Sequence, residues 1–266
     1  MDSKEFHELI GQQGQELYRD MPWRRDTRPY FVLVSEIMLQ QTQVERVVPK
    51  FEAFITAFPD EKALARASLA DVLKFWQGLG YNRRAKFLHE AAKMIVDEFG
   101  GKFPNTYDQL VQLPGVGKNT AGAILAYSFN QPSIFIETNI RTVYLHHFFP
   151  NGEIVDDKEI AQLLEATIER EHPREWYWAL MDYGSFLKHS GQGRLRQSKH
   201  YVKQAPLKGS MREVRGQIVK ILAAQDMTKT QLAKQLVIDE RFEPALAGLL
   251  RDGLVAQSAT KLHLTK

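Results

Sequence analysis

The chain has no cysteine in its 266 residues, and that absence excludes disulfides, thiolate metal sites and cysteine-ligated iron–sulfur clusters. Apolar runs long enough to span a bilayer, about 18–20 residues, are also missing. The first residues, Met1-Asp-Ser-Lys-Glu-Phe6, contain no apolar signal core, so the expected setting is a bacterial-type cytoplasm, with no membrane partner. Acidic residues are scarce in one place. From Lys188 to Arg215 only Glu213 opposes eight basic residues, a local net charge of +7 against +3 for the whole chain. This stretch has no sustained apolar period and contains Ser190-Gly-Gln-Gly193 and Ala205-Pro206. Residues 188–210 therefore read as a basic linker, either a strap on a polyanion or a solvated connector.

Where apolar residues are present they recur with helical period. Hydrophobic content of 44% and charged content of 25% are those of a globular protein, and the length admits one large or two ordinary domains. Helices are expected over 5–19, from Pro29 to Gln43, from Pro49 to Phe58, and up to about Gly78 behind a Ser68/Asp71 capping box. Arg84 to Phe99 is amphipathic and is stopped by Gly100-Gly101; 107–111, 119–129, 139–149, 157–171 and 173–187 follow. After the basic stretch come helices over 211–224, 230–237 and 244–253, then two short strands around Gln257-Ser-Ala259. Three helices and a hairpin in residues 211–266 match a winged-helix plan, used for DNA and for protein contacts alike.

Leu113-Pro-Gly-Val-Gly-Lys118 carries the strongest local signal. Its glycines permit a tight turn, and the helix it opens offers unpaired amides to a phosphate, with Lys118 adding charge. Two carboxylates fit glycosidic chemistry. Glu36 has Val32, Leu33, Leu39 and Gln40 as helical neighbours and no cation among them, which favours a protonated general acid. Glu137 ends an apolar run where a helix begins at Thr138, which favours an ionised carboxylate facing an oxocarbenium-like centre; pairing with Arg141 at i+4 is the structural alternative. His146-His147 lacks a carboxylate-rich partner set, so no metal site is expected. Trp176, Tyr177 and Trp178 read as core or interface aromatics.

Pro22-Trp-Arg24, Ser35-Glu-Ile-Met-Leu-Gln-Gln-Thr-Gln-Val44, Gly78-Leu-Gly-Tyr81, Leu113 to Ala123 and Ala179-Leu-Met-Asp-Tyr-Gly184 together resemble the MutY-type adenine DNA glycosylases. These belong to the helix-hairpin-helix glycosylases, and the resemblance covers about residues 15–187. It implies an all-α, two-lobed fold in residues 1–187, with a six-helix lobe over about 28–136 and a second lobe from 1–27 and 137–187. It implies a monomer that acts on double-stranded DNA with a damaged or mismatched base pair, releasing adenine opposite guanine or 8-oxoguanine. Glu36 then corresponds to the general acid, Glu137 to the catalytic carboxylate and Asn139 to the Asn beside it. Trp23, Arg24 and Asn119 border the base pocket, while Gln41, Thr42, Leu79 and Tyr81 fill the space left by a flipped base. Leu113, Gly115, Val116, Gly117, Lys118 and Thr120 belong to the phosphate-binding hairpin, whose carbonyls in relatives can hold a monovalent cation.

The chain departs from this pattern in four ways. Glu137 replaces an Asp. Asn119 stands where lyase-competent relatives have a Lys, which implies hydrolysis without strand cleavage. The cysteine cluster is absent, so no iron–sulfur cofactor is expected, and the basic linker takes its place. The C-terminal 8-oxoguanine-sensing domain is also absent. Another target base, such as uracil or thymine opposite guanine, or a catalytically weakened DNA-binding protein, remains an alternative.

Overall fold

The computed structural model describes residues 1–203, 205–236 and 239–266. Its first helices are α1 (Ser3–Glu16), α2 (Pro22–Arg25), α3 (Pro29–Leu39), α4 (Val44–Ala57), α5 (Glu61–Arg66), α6 (Leu69–Phe75) and α7 (Arg83–Asp97). The middle of the chain forms α8 (Tyr107–Leu110), α9 (Lys118–Phe129), α10 (Thr138–Phe148), α11 (Asp157–Thr167) and α12 (Pro173–His189). The last part forms α13 (Met211–Leu222), β1 (Met227–Thr228), α14 (Lys229–Gln235), α15 (Phe242–Arg251), β2 (Val255–Ser258) and β3 (Lys261–Leu264). Val237, at the end of an expected helix, lies outside the described residues.

Local chemistry explains most of the helix starts. Ser68 accepts a hydrogen bond from the Asp71 amide at 3.1 Å, and Thr228 forms a capping box with Gln231. Asp2 and Asp156 make the same box with Glu5 and Glu159. Several boundaries differ from expectation, among them the end of α11 at Thr167 rather than 171, and two others are marked by local backbone features. α3 ends at Leu39 rather than Gln43, because Gln41 takes a left-handed backbone with φ +56°. α4 starts at Val44 and carries Pro49 in its second turn, instead of starting at the proline.

The chain divides into two compact units, which differ from the expected lobes. The first comprises Met1–Leu33, Asn105–Gln112 and Val116–Lys203. Here α12 packs against α1, α9 and α10 around buried Phe6, Ile10, Phe135, Tyr144 and Tyr177. Helix α9 belongs to this unit, and not to the lobe expected to end at 136, because its far end is tied to α12. Arg174 donates to the carbonyls of Tyr127 and Ser128, at 2.5 and 3.1 Å, and Tyr127 meets the Phe135 ring. Residues 188–203 are likewise part of it and are not an independent linker. The Val155 amide donates to Gln197 O, the Lys199 amide to Val155 O, and Gln197 and Ser198 are buried.

The second unit comprises Val34–Pro104, Leu113–Gly115 and Gln204–Lys266. Phe51, Phe54, Trp76, Leu88 and Ile95 form the core of its helical part. Its C-terminal module has the winged-helix order of elements. A three-stranded antiparallel sheet, β1-β3-β2, pairs Met227 with Leu262 and Val255 with Leu264. Val214, Ile218, Leu232, Leu246 and Leu249 pack behind this sheet. β1 escaped the sequence reading because two residues carry no period. The β2–β3 turn falls at Ala259-Thr260, with Ala259 at φ +52°, one step later than expected.

Candidate active site

In the second unit, Arg84 on α7 organises two turns. Its Nη1 donates to the carbonyls of Ile37, Met38 and Gln40 at 2.7, 2.9 and 2.7 Å. Nη2 donates to Thr42 Oγ1, Leu79 O and Gly80 O at 3.1, 3.0 and 3.1 Å. The guanidinium thus caps the negative end of α3 and clamps its exit to the Leu79–Gly80 turn. Trp76 and Tyr81 present their rings to it at 5.5 and 5.4 Å. No carboxylate compensates it, and burial lowers its pKa to about 10, so it remains a cation at neutral pH. Gln41 and Tyr81, at the tips of these two turns, both have left-handed backbones, φ +56° and +47°. Non-glycine residues held in that region mark functional loops often enough to single these two out.

Gln41 is exposed, and Thr42 and Tyr81 are half-buried. Leu79 is not available as a filler: its side chain is 3% exposed, and the turn offers only its carbonyl, taken by Arg84 and Thr42. Glu36 is half-buried on α3 between fully buried Ser35 and Ile37. From the hairpin, Leu113 is buried as an anchor, and Gly115 has φ +80°. A Cβ there would meet Phe87 Cβ at 2.9 Å, so the turn needs glycine for space as well as for angle. Gly115 O accepts one long hydrogen bond, 3.4 Å, from Gln40 Nε2.

In the first unit, Gly117 is the N-cap of α9, and exposed Lys118 is its first residue. Val116 and Thr120 are buried beneath them. Glu137 is the N-cap of α10, but its side chain makes no capping bond. Its carboxyl is pushed above the ordinary range by burial, with Arg141 offsetting this in part. The alternative i+4 pair is not formed, because Arg141 grips Asp157 at 2.8 and 2.6 Å. Asn119 instead holds the backbone before Glu137, donating to Ile136 O at 2.8 Å and accepting from the Ile136 amide at 3.3 Å. Asn139 Oδ1 accepts from Lys188 Nζ at 3.1 Å.

The Met181-Asp-Tyr-Gly184 motif lies on α12 and braces this end of the unit. A Cβ on Gly184 would sit 2.2 Å from Asn139 O, so glycine lets α12 touch the first turn of α10. Asp182, 2% exposed, accepts from Arg24 at 2.6 and 2.9 Å and from Arg19 Nε at 2.6 Å. Arg24 also lies over Tyr18 and Trp178, at 5.3 and 5.2 Å. Its guanidinium is therefore spent on Asp182, and both Arg24 and Trp23 are nearly buried. Trp178 serves that stack, while Trp176 and Tyr177 are core.

A sequence profile described as "HhH-GPD superfamily base excision DNA repair protein" matches residues 34–170. An adenine DNA glycosylase of Mycobacterium tuberculosis is 33% identical over an alignment covering 92% of this chain and 88% of that one. The chain belongs to the HhH-GPD superfamily. An adenine DNA glycosylase of Buchnera aphidicola subsp. Baizongia pistaciae is 39% identical over 64% of this chain and 48% of its own length. The chain thus spans about half the length of some of its relatives. Among solved structures, a thermostable thymine-DNA glycosylase superposes with a TM-score of 0.67 at 24% identity, covering 73% of this chain and 91% of that one. That likeness concerns the fold.

Within this superfamily fold the sequence reading missed Arg84. There Arg84 counted only as the first residue of an amphipathic helix, although an arginine on a helix's apolar side was a usable signal. The basic stretch is also less free than its charge suggests. Lys188, Arg194, Lys199, Arg212 and Arg215 are engaged by Asn139, Phe149 and Pro150 carbonyls, Asp156, Tyr81 and Asp252 respectively. Among the described residues, Arg196, Lys203 and Lys208 make no side-chain hydrogen bond or ion pair. Among the described residues no helix is long and apolar enough to cross a membrane. Among the described residues no cluster of three or more His, Cys, Asp or Glu side chains is arranged for a metal.

Proposed function

We propose that the chain is a monofunctional DNA glycosylase that hydrolyses the N-glycosidic bond of a flipped adenine mispaired with guanine or 8-oxoguanine. The carrying observation is the similarity to adenine DNA glycosylases across nearly the whole chain, joined to a carboxylate, Glu137, held without a strong partner. Glu36 protonates the departing adenine. Glu137 faces the sugar, where developing positive charge in a water-poor site is stabilised far more than it would be in bulk water. Burial makes the ionised form unfavourable in the free protein, and a cationic transition state removes that penalty. The gain is therefore larger in the transition state than in the ground state, which is the requirement for catalysis.

Asn119 and Asn139 act as positioning groups on either side of Glu137. Because Asn119 is an amide, it offers no amine for a Schiff base, which favours hydrolysis over strand cleavage. Trp23 and Arg24 correspond to residues that border the base pocket, and Gln41 and Tyr81 to those that probe the vacated stack. The hairpin from Leu113 to Lys118 holds a phosphate. A panel of duplexes carrying A:8-oxoguanine, A:G, U:G and T:G, assayed with and without alkali, tests this. Alkali-dependent breaks confined to the adenine duplexes are expected, and release of uracil or thymine alone, or alkali-independent cleavage, refutes it. Glu36→Gln should retain duplex binding and lose base release by roughly 10²–10⁴-fold.

A further inference from the structure

We infer that the C-terminal module positions the base-probing turn through Arg212, making residues 211–266 part of the machinery that judges the base pair. This rests on the glycosylase reading and extends it to residues with no role in that reading. All the interactions involved lie within the second unit. Tyr81, at φ +47°, is held in a conformation that side chains rarely adopt. Arg212, in the first turn of α13, donates to Tyr81 Oη, and its guanidinium lies 4.7 Å from the centre of the ring. On the same ring, Arg84 lies at 5.4 Å. One phenol thus serves two guanidinium groups, one from the helical lobe and one from the C-terminal module. Arg212 is itself steadied by Ala205 O at 3.1 Å.

The module is docked where this arrangement requires it. Asp252, at the end of α15, accepts from Arg215 at 2.5 Å, and Arg83 approaches its carboxylate at 3.9 Å. Lys86 Nζ donates to Asp252 O at 2.8 Å. Arg83 and Lys86 occupy the first turn of α7, directly after the Tyr81 turn. The anchor therefore fixes the module against the same short segment whose tip Arg212 holds. A solvated tail needs neither a half-buried carbonyl–lysine bond nor an arginine on a probing tyrosine. The arrangement instead restrains Tyr81 before DNA arrives, which lowers the ordering cost of inserting it.

The test uses the full chain and its Arg212→Ala, Arg212→Lys, Tyr81→Ala and Arg212→Ala/Tyr81→Ala variants, with Lys220→Gln on the exposed face of α13 as a charge control. Two readouts are taken. One is the fluorescence of 2-aminopurine placed beside the mispair, which reports insertion into the stack. The other is the ratio of adenine release from a mispair to release from an A:T pair. Arg212→Ala should lower that ratio about tenfold, the scale of one charge-assisted hydrogen bond, and shift the fluorescence toward that of Tyr81→Ala. The double variant should match Tyr81→Ala, and Lys should restore part of the effect. Multiplying losses in the double variant, or a wild-type ratio and fluorescence in both Arg212 variants, overturn the inference. If the wild type releases no adenine while Arg212→Ala still abolishes the Tyr81-dependent fluorescence, the glycosylase reading fails and the positioning role stands.

Discussion

Each unit draws a charge away from water, Arg84 buried and Glu137 half-buried, and the two are treated in opposite ways. In the second, Arg84 is surrounded by six acceptors and two aromatic faces, and only its Nε lacks a partner. In the first, Glu137 makes neither a cap nor an ion pair, and Arg141, which offsets the rise of its pKa in part, is committed to Asp157. A charge satisfied on every side builds a rigid part, and here it sets the shape of two loops. A carboxylate left without such partners is destabilising by itself, and under the proposed function its use lies in the charge that a reaction brings to it. Arg24 and Asp182 are a third case, a buried ion pair that ties α2 to α12.

If that contrast is right, the largest effect comes from removing the unsatisfied charge. Glu137→Gln should reduce adenine release by about 10²–10³-fold or more, the scale set by deleting one electrostatic group that acts on the transition state. Glu137→Asp should preserve or raise it, as single-turnover assays will report. An active Gln variant would make Glu137 a mere N-cap and end the comparison. Next comes the satisfied charge. Arg84→Met strips one cation from six acceptors and should destabilise the second unit by about 3–5 kcal/mol, read as a lower denaturant midpoint. Lys should recover only part of this, since an ammonium cannot fork between two turns.

A smaller effect tests the exposed basic residues against the engaged ones. Neutralising Arg196, Lys203 and Lys208 should flatten the salt dependence of duplex binding by about 0.9 for each phosphate that is no longer neutralised. Lys199→Gln should change it less, because that side chain already faces Asp156. The smallest effect is on stability. The folded-state pKa of Glu137 lies above its ordinary value of 4.5, so folding favours its protonated form. Its contribution is fully present below pH 4.5 and is lost as pH rises through the folded value. At neutral pH, Glu137→Gln should therefore stabilise the chain, by roughly 0.5–2 kcal/mol, while disabling it. The gain should grow on going from about pH 5 to about pH 8.

Much of the fold was legible because it is local. Ser68 and Thr228 announced their helices, and Gly100-Gly101, at φ +61° and +74°, stopped α7 where periodicity ends. The hairpin could be read from its glycines, and the winged-helix plan from three helices and a terminal pair of strands. The site was legible as residue types in order. Its partnerships were not, because they join positions far apart in the chain. Arg24 pairs with Asp182, 158 positions away, and Arg141, the alternative partner of Glu137, pairs with Asp157 instead. Leu79 looked like a wedge until burial removed its side chain.

By itself, the sequence determined the helical class, the glycine turns, the helix caps, the freedom from cysteine chemistry and the family. Each of these rests on backbone preference, short-range hydrogen bonding or residue type, which act within a few positions. Only the tertiary structure decided which charges are satisfied. Arg84 finds carbonyls from α3 and from the Leu79–Gly80 turn, Glu137 is left with little, and Arg212 reaches Tyr81 across 131 positions of chain. Burial and pairing depend on what the remainder of the fold brings alongside, and no window of sequence contains that information.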